Sequence, residues 1–114
     1  MVKQGYIPNA GDVVWLTFDP QAGHEQRGRR PALVLSPRTY NAKTNLALMC
    51  PITSQVKDYP FEVAITGAGG VEGVVLADQI KSLDWKARRA EFAATGDEEL
   101  LSQVRERVRP LLGL

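Results

Sequence analysis

The sequence predicts a small antiparallel β-barrel or sandwich that carries a helix at its C-terminal end. Five or more short segments rich in β-branched and aromatic residues follow one another with short turns between them. One of these segments alternates strictly between apolar and polar residues, and apolar side chains at helical spacing occur only near the C-terminus. With 114 residues, of which 44% are hydrophobic and 24% charged, the chain is expected to form one domain over residues 1–114.

The first half of the chain is predicted to contain three strands. Strand one covers residues 13–18 and ends at Asp19-Pro20, and strand two covers the continuous apolar run 32–36, opened by Pro31. Residues 37–45 read as a turn or a short helix. Strand three covers residues 46–53, where Pro51 favours an edge position or a bulge because proline cannot donate to a β-ladder.

The second half is predicted to hold a hairpin and the terminal helix. Residues 61–66 alternate, residues 74–80 return as their partner, and the glycine-rich residues 67–73 form a flexible tip. These glycines fit neither dinucleotide-binding nor phosphate-loop spacing, and they precede a strand where those motifs precede a helix. Residues 82–96 are ambiguous, with a short strand around Trp85 as one interpretation.

The C-terminal helix is predicted from a cap and an apolar stripe. Thr95 or Asp97 can cap it, and acidic residues in its first turn favour the positive end of the helix dipole. Pro110 should end the helix near Arg109. The predicted stripe consists of Leu100, Leu101, Val104, Val108 and Leu111.

Composition and charge exclude several classes of protein. The net charge of +1 excludes a polyanion binder that works by bulk charge, although basic residues gather at residues 27–30 and 81–89. No apolar run approaches the ~20 residues of a membrane-spanning helix, so we expect a cytoplasmic protein without membrane contact. Cys50 lies in an apolar run and reads as a buried hydrophobe. One histidine and one cysteine make a protein-built zinc site unfavourable, so we expect no metal and no cofactor.

The polar loop between strands one and two is the strongest candidate for a functional site, because such loops commonly carry binding and catalytic groups. If it acts on RNA, Arg30 offers a permanently charged fork that matches phosphate oxygens. His24 titrates near neutral pH and is the natural general acid or base. Glu25 can serve as a base, but the interpretation we favour is that it orients Arg27 or Arg30 through an ion pair. Each of these side chains can also be an ordinary solvated loop residue.

Further candidates lie at strand ends. Thr53 can present its hydroxyl group to a phosphate, or it can simply form a turn. Asp78 and Gln79 follow the predicted return strand, where they can face a groove or begin a turn.

Taken in order, several blocks of the sequence resemble a known family. The blocks are G-D-V-V-W-L-T-F-D-P, then G-H-E-Q-x-G-x-R-P-A-L-V-L-S-P, P-I-T-S and Y-P-F-E-V, and finally G-V-V-L-A-D-Q-I-K-S-L-D-W-x-A-R-R. They are similar to those of the MazF/PemK/Kid toxin endoribonucleases, and the similarity runs from about residue 11 to residue 89.

The resemblance implies a fold, an activity and partners. The fold would be a small SH3-like antiparallel β-barrel of the CcdB/PemK type with short helices, working as a homodimer. The activity would be metal-independent cleavage of single-stranded RNA (mRNA) at short sequence motifs, leaving a 2′,3′-cyclic phosphate and a 5′-hydroxyl group. The partner would be a cognate MazE-like antitoxin whose acidic, disordered tail covers the RNA site.

The resemblance also implies roles for individual residues. MazF-type members use the arginine before the proline and the threonine after P-x, which correspond to Arg30 and Thr53. Kid-type members use the histidine of G-H-E-Q and the arginine and aspartate of R-x-D-Q. His24 and Asp78 match that pattern, but Leu76 replaces the arginine, which leaves the general acid and base open.

The remaining implied contacts are Lys57 and Lys81 with phosphates and Gln79 with a base edge. Arg30 is predicted to clamp the phosphate, Thr53 to donate its hydroxyl group, and His24 to transfer a proton. Asp78 and Glu25 are further catalytic candidates.

Two alternatives keep the barrel but remove the catalysis. One is a gyrase-poison-like toxin, disfavoured because the chain ends Leu-Leu-Gly-Leu and lacks a Trp-Gly-Ile-like end. The other is a catalytically silent RNA-binding or interaction barrel.

Overall fold

The computed structural model describes residues 5–17 and 29–114, which contain seven strands and two helices. The helices are α1 (Arg38–Thr44) and α2 (Glu98–Val108), and short 3-10 turns cover Ala77–Gln79 and Arg109–Leu112. The strands are β1 (Asp12–Thr17), β2 (Arg29–Val34), β3 (Leu46–Thr53), β4 (Glu62–Ala68), β5 (Val71–Leu76), β6 (Lys81–Asp84) and β7 (Glu91–Thr95).

The seven strands form one antiparallel sheet in the order β4-β5-β3-β2-β1-β7, with β6 also paired to β3. This architecture, with its C-terminal helix, confirms the predicted fold class. The predicted bounds of β3 are also confirmed. The predicted edge position is wrong, because β3 pairs with β2 on one side and with both β6 and β5 on the other.

Pro51 is tolerated at the centre of the sheet because of its place in the pairing. On one side of β3, residues 46–49 pair with β6, and Ile52 and Thr53 pair with β5. Pro51 lies between these two ladders, where a missing N–H group removes the fewest hydrogen bonds from the sheet.

Among the described residues, the buried side chains form two clusters. Val13 and Leu33 belong to one cluster, and Val14 and Ala32 belong to the other, as expected when successive side chains of a strand point to opposite faces. Both faces of β2 are therefore buried, as its continuous apolar run indicates. Helix α2 covers the first cluster with Leu100, Val104 and Val108, and each such burial contributes about 1.5–3 kcal/mol.

The start of β2 differs from the prediction. The strand begins at Arg29 and not at Ala32, so Arg29 and Arg30 are strand residues paired with Thr17 and Leu16 of β1. Pairing with β1 outweighs the polar character of both arginines and continues the strand through Pro31.

The region around Trp85 also differs. Two strands, β6 and β7, flank it, and Trp85 itself lies in the turn between them. Its side chain is buried, and Nε1 donates to the backbone oxygen of Asn41 at 3.0 Å.

The ends of α2 match the prediction in part. Asp97 is the cap, with Oδ1 accepting the backbone N–H of Leu100 at 2.8 Å. The α-helix ends at Val108, close to the predicted end at Arg109. Leu111 is wrong as a member of the stripe because it lies in the following 3-10 turn and is 46% exposed. Within the described residues, no helix is both long enough and apolar enough to cross a membrane.

Candidate functional site

An open cleft with a volume of about 630 Å³ lies where β2, β3 and β5 present their ends. Both members of the predicted MazF-type pair, Arg30 and Thr53, line this cleft from adjacent strands. The predicted site residues that line the cleft are Arg30, Thr53, Lys57, Asp78, Gln79 and Lys81, and Pro51, Ile52, Gln55, Tyr59, Glu62 and Leu76 complete it. His24 and Glu25 lie outside the described residues.

The two neighbouring arginines of β2 have different surroundings. The Arg29 side chain is 16% exposed and forms an ion pair with Glu91 at 2.7 Å. Its Nη1 donates to Thr17 Oγ1 at 3.2 Å, and its Nη2 donates to the backbone oxygen of Trp15 at 3.4 Å. Arg29 therefore ties β2 to β1 and to the start of β7, and it does not line the cleft.

Arg30 lines the cleft and is exposed. Successive strand residues point to opposite faces, so the pairing that buries Arg29 turns Arg30 the other way. Within residues 5–17 and 29–114, no hydrogen bond or ion pair engages the Arg30 guanidinium group. Its five N–H donors can therefore meet an anion in the cleft.

Thr53 ends β3 and is half-buried. Its Oγ1 accepts the backbone N–H of Gln55 at 3.1 Å, so the turn-forming role considered from the sequence is present. A hydroxyl group that accepts one hydrogen bond keeps its own hydrogen to donate. The turn therefore fixes the Thr53 oxygen and leaves its O–H available to a ligand.

Gly73 sets the close approach of β5 to Thr53. It lies inside β5 with φ +126°, and a Cβ built there would stand 2.1 Å from the backbone oxygen of Thr53. Only glycine fits such an approach without displacement of neighbouring atoms.

The prediction that residues 67–73 form only a hairpin tip is wrong, because β5 begins at Val71.

The loop between β3 and β4 is held from two sides. The Glu62 carboxylate accepts the backbone N–H groups of Lys57, at 3.1 Å, and of Tyr59, at 3.3 Å. Arg107 of α2 donates through Nε to the backbone oxygen of Pro60 at 3.2 Å. These bonds hold the segment that carries Lys57 and Tyr59 at the wall of the cleft.

Asp78 lies in the 3-10 turn after β5 and accepts a hydrogen bond from the Tyr59 hydroxyl group at 3.0 Å. This bond to the carboxylate raises the pKa of Tyr59 above its ordinary value.

Burial, and secondarily the charge of Asp78, raises the pKa of Cys50 to about 12. Cys50 is fully buried and stays protonated at neutral pH, which confirms its prediction as a buried hydrophobe.

Three cleft residues whose side chains carry polar groups are missed by the sequence analysis: Gln55, Tyr59 and Glu62. For Tyr59 a signal existed, because an aromatic residue two positions after Lys57 fits the mixture of basic and aromatic side chains that binds single-stranded nucleic acid. Glu62 carried no such signal, since its role depends on the backbone of a folded loop. In the described part of the chain, no group of three His, Cys, Asp or Glu side chains could hold a metal ion.

The fold and the cleft together define a class of protein. A small antiparallel barrel exposes a permanently charged fork, a hydroxyl donor and two lysines in one open groove. Such a groove suits a phosphodiester, since guanidinium, hydroxyl and ammonium groups are the common ligands of phosphate oxygens.

Comparison with known proteins identifies the family. The profile of the PemK-like, MazF-like toxins of type II toxin-antitoxin systems matches residues 9–112. The chain belongs to this family. The family predicted from the sequence blocks is therefore confirmed.

Relatives match over nearly their whole length. The endoribonuclease toxin MazF of Escherichia coli K12 is 47% identical over 108 residues, which cover 95% of this chain and 96% of the relative. The crystal structure of MazF (Form-I) from Deinococcus radiodurans has a TM-score of 0.86 at 57% identity, and the match covers 96% of this chain and 99% of that chain. The MazE-MazF structure (Form-III) from the same organism has a TM-score of 0.87 at 54% identity, with the same coverage.

Proposed function

We propose that this chain is a metal-independent, sequence-specific endoribonuclease that cuts single-stranded RNA, including mRNA, and thereby inhibits translation and growth. The observation that carries the proposal is that Arg30 and Thr53 line one open cleft. Membership of the toxin family and the endoribonuclease name of the E. coli relative support it.

In the proposed reaction, the RNA attacks itself. The ribose 2′-oxygen bonds to the adjacent phosphorus, the bond from phosphorus to the 5′-oxygen breaks, and a 2′,3′-cyclic phosphate and a 5′-hydroxyl group result. The proton of the 2′-hydroxyl group passes to a base, and the departing 5′-oxygen takes a proton from an acid. No water and no metal enters the step.

Arg30 and Thr53 act on the phosphate in this reaction. Negative charge grows on the phosphate oxygens as phosphorus becomes five-coordinate, and the Arg30 fork stabilises it more than it stabilises the bound substrate. Thr53 donates its O–H to the same phosphate. A guanidinium group stays protonated, so Arg30 is not the acid.

Proton transfer is assigned to His24, whose ordinary pKa lies near neutrality. Glu25 orients an arginine or serves as the base. Asp78 is a further catalytic candidate, and its hydrogen bond from Tyr59 also suits a group that organises the cleft wall.

The rest of the cleft binds the strand on either side of the cut. Lys57 and Lys81 contact phosphates, and Gln79 contacts a base edge. In the cytoplasm of a bacterial cell, a homodimer of the chain is silenced by a cognate MazE-like antitoxin whose acidic tail competes for the same basic groups. The MazE-MazF structures supply the precedent for that partner.

The proposal is tested with purified, antitoxin-free protein and a long single-stranded RNA. Wild-type protein should cut the RNA, and Thr53→Val should lower the rate by about 10²-fold, the usual effect of removing one preorganised donor to a developing charge. Thr95→Val is the matched control, because Thr95 ends β7, is exposed and lies outside the cleft. RNA that stays intact with wild-type protein would refute the ribonuclease, and equal rates for both variants would refute the role of Thr53.

A further inference from the structure

Tyr59 is the one aromatic side chain among the described residues that line the cleft. It is 47% exposed, so a large part of its ring faces solvent. An aromatic ring left in water on a groove wall gains free energy when a flat apolar partner covers it.

The ring is held in place from three directions. Its hydroxyl group donates to Asp78 at 3.0 Å, and its ring contacts that of Phe61 with centroids 5.8 Å apart and planes tilted by 49°. Its backbone N–H donates to Glu62 at 3.3 Å. A ring fixed before a ligand arrives loses little conformational freedom on binding.

The charges around Tyr59 identify the partner. Arg30, Lys57 and Lys81 line the same cleft and favour an anionic chain. Proteins that bind single-stranded nucleic acid combine such a cationic track with aromatic rings on which unpaired bases stack. An acidic peptide without aromatic residues would use the cations but would leave the ring uncovered.

We propose that the Tyr59 ring is a stacking platform for one unpaired base of the RNA, next to the nucleotide whose phosphate lies at Arg30. The proposal rests on the function proposed above and extends it to a binding residue. The contact with Phe61 holds the ring against the cleft wall, and the hydrogen bond to Asp78 adds to it. The platform tolerates any base and strengthens binding more than it selects sequence.

The test uses a short single-stranded RNA that contains the mapped cleavage site and carries a 2′-deoxy sugar there, which prevents cutting. 2-Aminopurine, whose fluorescence falls on stacking, replaces each base near the site in turn. Tyr59→Ala should weaken binding on the order of tenfold and abolish the quenching seen at one position, since stacking one base on an aromatic side chain typically has an effect of this size. Tyr59→Phe, which keeps the ring, should bind within about threefold of wild type and keep the quenching.

Two further variants keep the test decisive. Tyr59→Leu retains apolar bulk against Phe61 but has no aromatic face, so it should fold and still lose the quenching. Tyr40→Ala is the matched control, because Tyr40 is 41% exposed on α1 and lies outside the cleft.

The outcomes separate the platform from the ribonuclease. If wild-type protein cuts RNA but Tyr59→Ala binds it equally well, the platform is refuted and the ribonuclease stands. If Tyr59→Phe is as weak as Tyr59→Ala, the hydroxyl group and not the ring is responsible, which also refutes the platform. If wild-type protein cuts no RNA, the ribonuclease is refuted and the platform with it.

Discussion

Replacing either of the two adjacent arginines of β2 with alanine should lower a different property of the protein. Arg29 is 16% exposed and makes hydrogen bonds to β1 and to the backbone oxygen of Arg88. Arg30 is exposed in the cleft. Arg29→Ala should therefore lower stability, and Arg30→Ala should lower activity.

The magnitude for Arg29→Ala follows from its contacts. The ion pair contributes little, because the Glu91 side chain is 69% exposed. Three long hydrogen bonds, each worth up to about 1 kcal/mol net, give a loss of about 2–3 kcal/mol. For a domain of this size that corresponds to a fall in Tm of about 10 °C.

The magnitude for Arg30→Ala follows from its exposure and charge. A substitution at an exposed site usually changes stability by less than about 0.5 kcal/mol, or about 2 °C in Tm. The loss of charge stabilisation at the phosphate should lower kcat by about 10²–10³-fold. Arg30→Lys should lie between, because an ammonium group keeps the charge but not the planar fork.

The assay combines thermal unfolding by circular dichroism with cleavage of a fluorogenic single-stranded RNA. Cleavage is measured at a temperature where all variants are folded. If Arg29→Ala lost as much activity as Arg30→Ala under those conditions, or if Arg30→Ala unfolded as early as Arg29→Ala, the assignment of the two arginines would be wrong.

Three more predictions concern Gly73, Lys57 and Cys50. Gly73→Ala should lower Tm and activity together, because its Cβ would push on the Thr53 backbone; a folded, fully active variant would contradict the close approach. Lys57→Ala should reduce the salt dependence of RNA binding by about 0.7 in the log-log slope, unlike Lys43→Ala on α1, and equal slopes would remove Lys57 from the interface. The pKa of Cys50 rises from 9.0 to about 12 on folding, so the free energy of unfolding should fall as pH rises from 9 toward 12. The fall should be less steep in Cys50→Ala, and identical pH profiles of stability for the two proteins would contradict that shift.

The parts of the fold that the sequence predicted well depend on local patterns. The bounds of β3, the cap at Asp97 and the alternation that buries Val63 and Ile65 follow from neighbouring residues. The errors at Arg29, Pro51 and Trp85 arise where contacts with segments distant in the sequence determine the structure. The neighbouring sequence does not indicate the pairing with β1, the change of partner along β3 or the hydrogen bond to Asn41.

The candidate site divides in the same way. The resemblance predicts Arg30 and Thr53, and the structure brings them into one cleft. The contact between Tyr59 and Asp78 joins residues nineteen apart and required the fold. His24 and Glu25 stay predictions, because they lie outside the described residues.

The most direct test of self-cleavage is a set of otherwise identical single-stranded RNAs, each with one 2′-deoxy sugar, incubated with the protein in EDTA. Cleavage should continue in EDTA and should disappear only when the ribose on the 5′ side of the cut lacks its hydroxyl group. Cleavage of that RNA at the same bond would contradict the account, because attack would then come from water and not from the RNA.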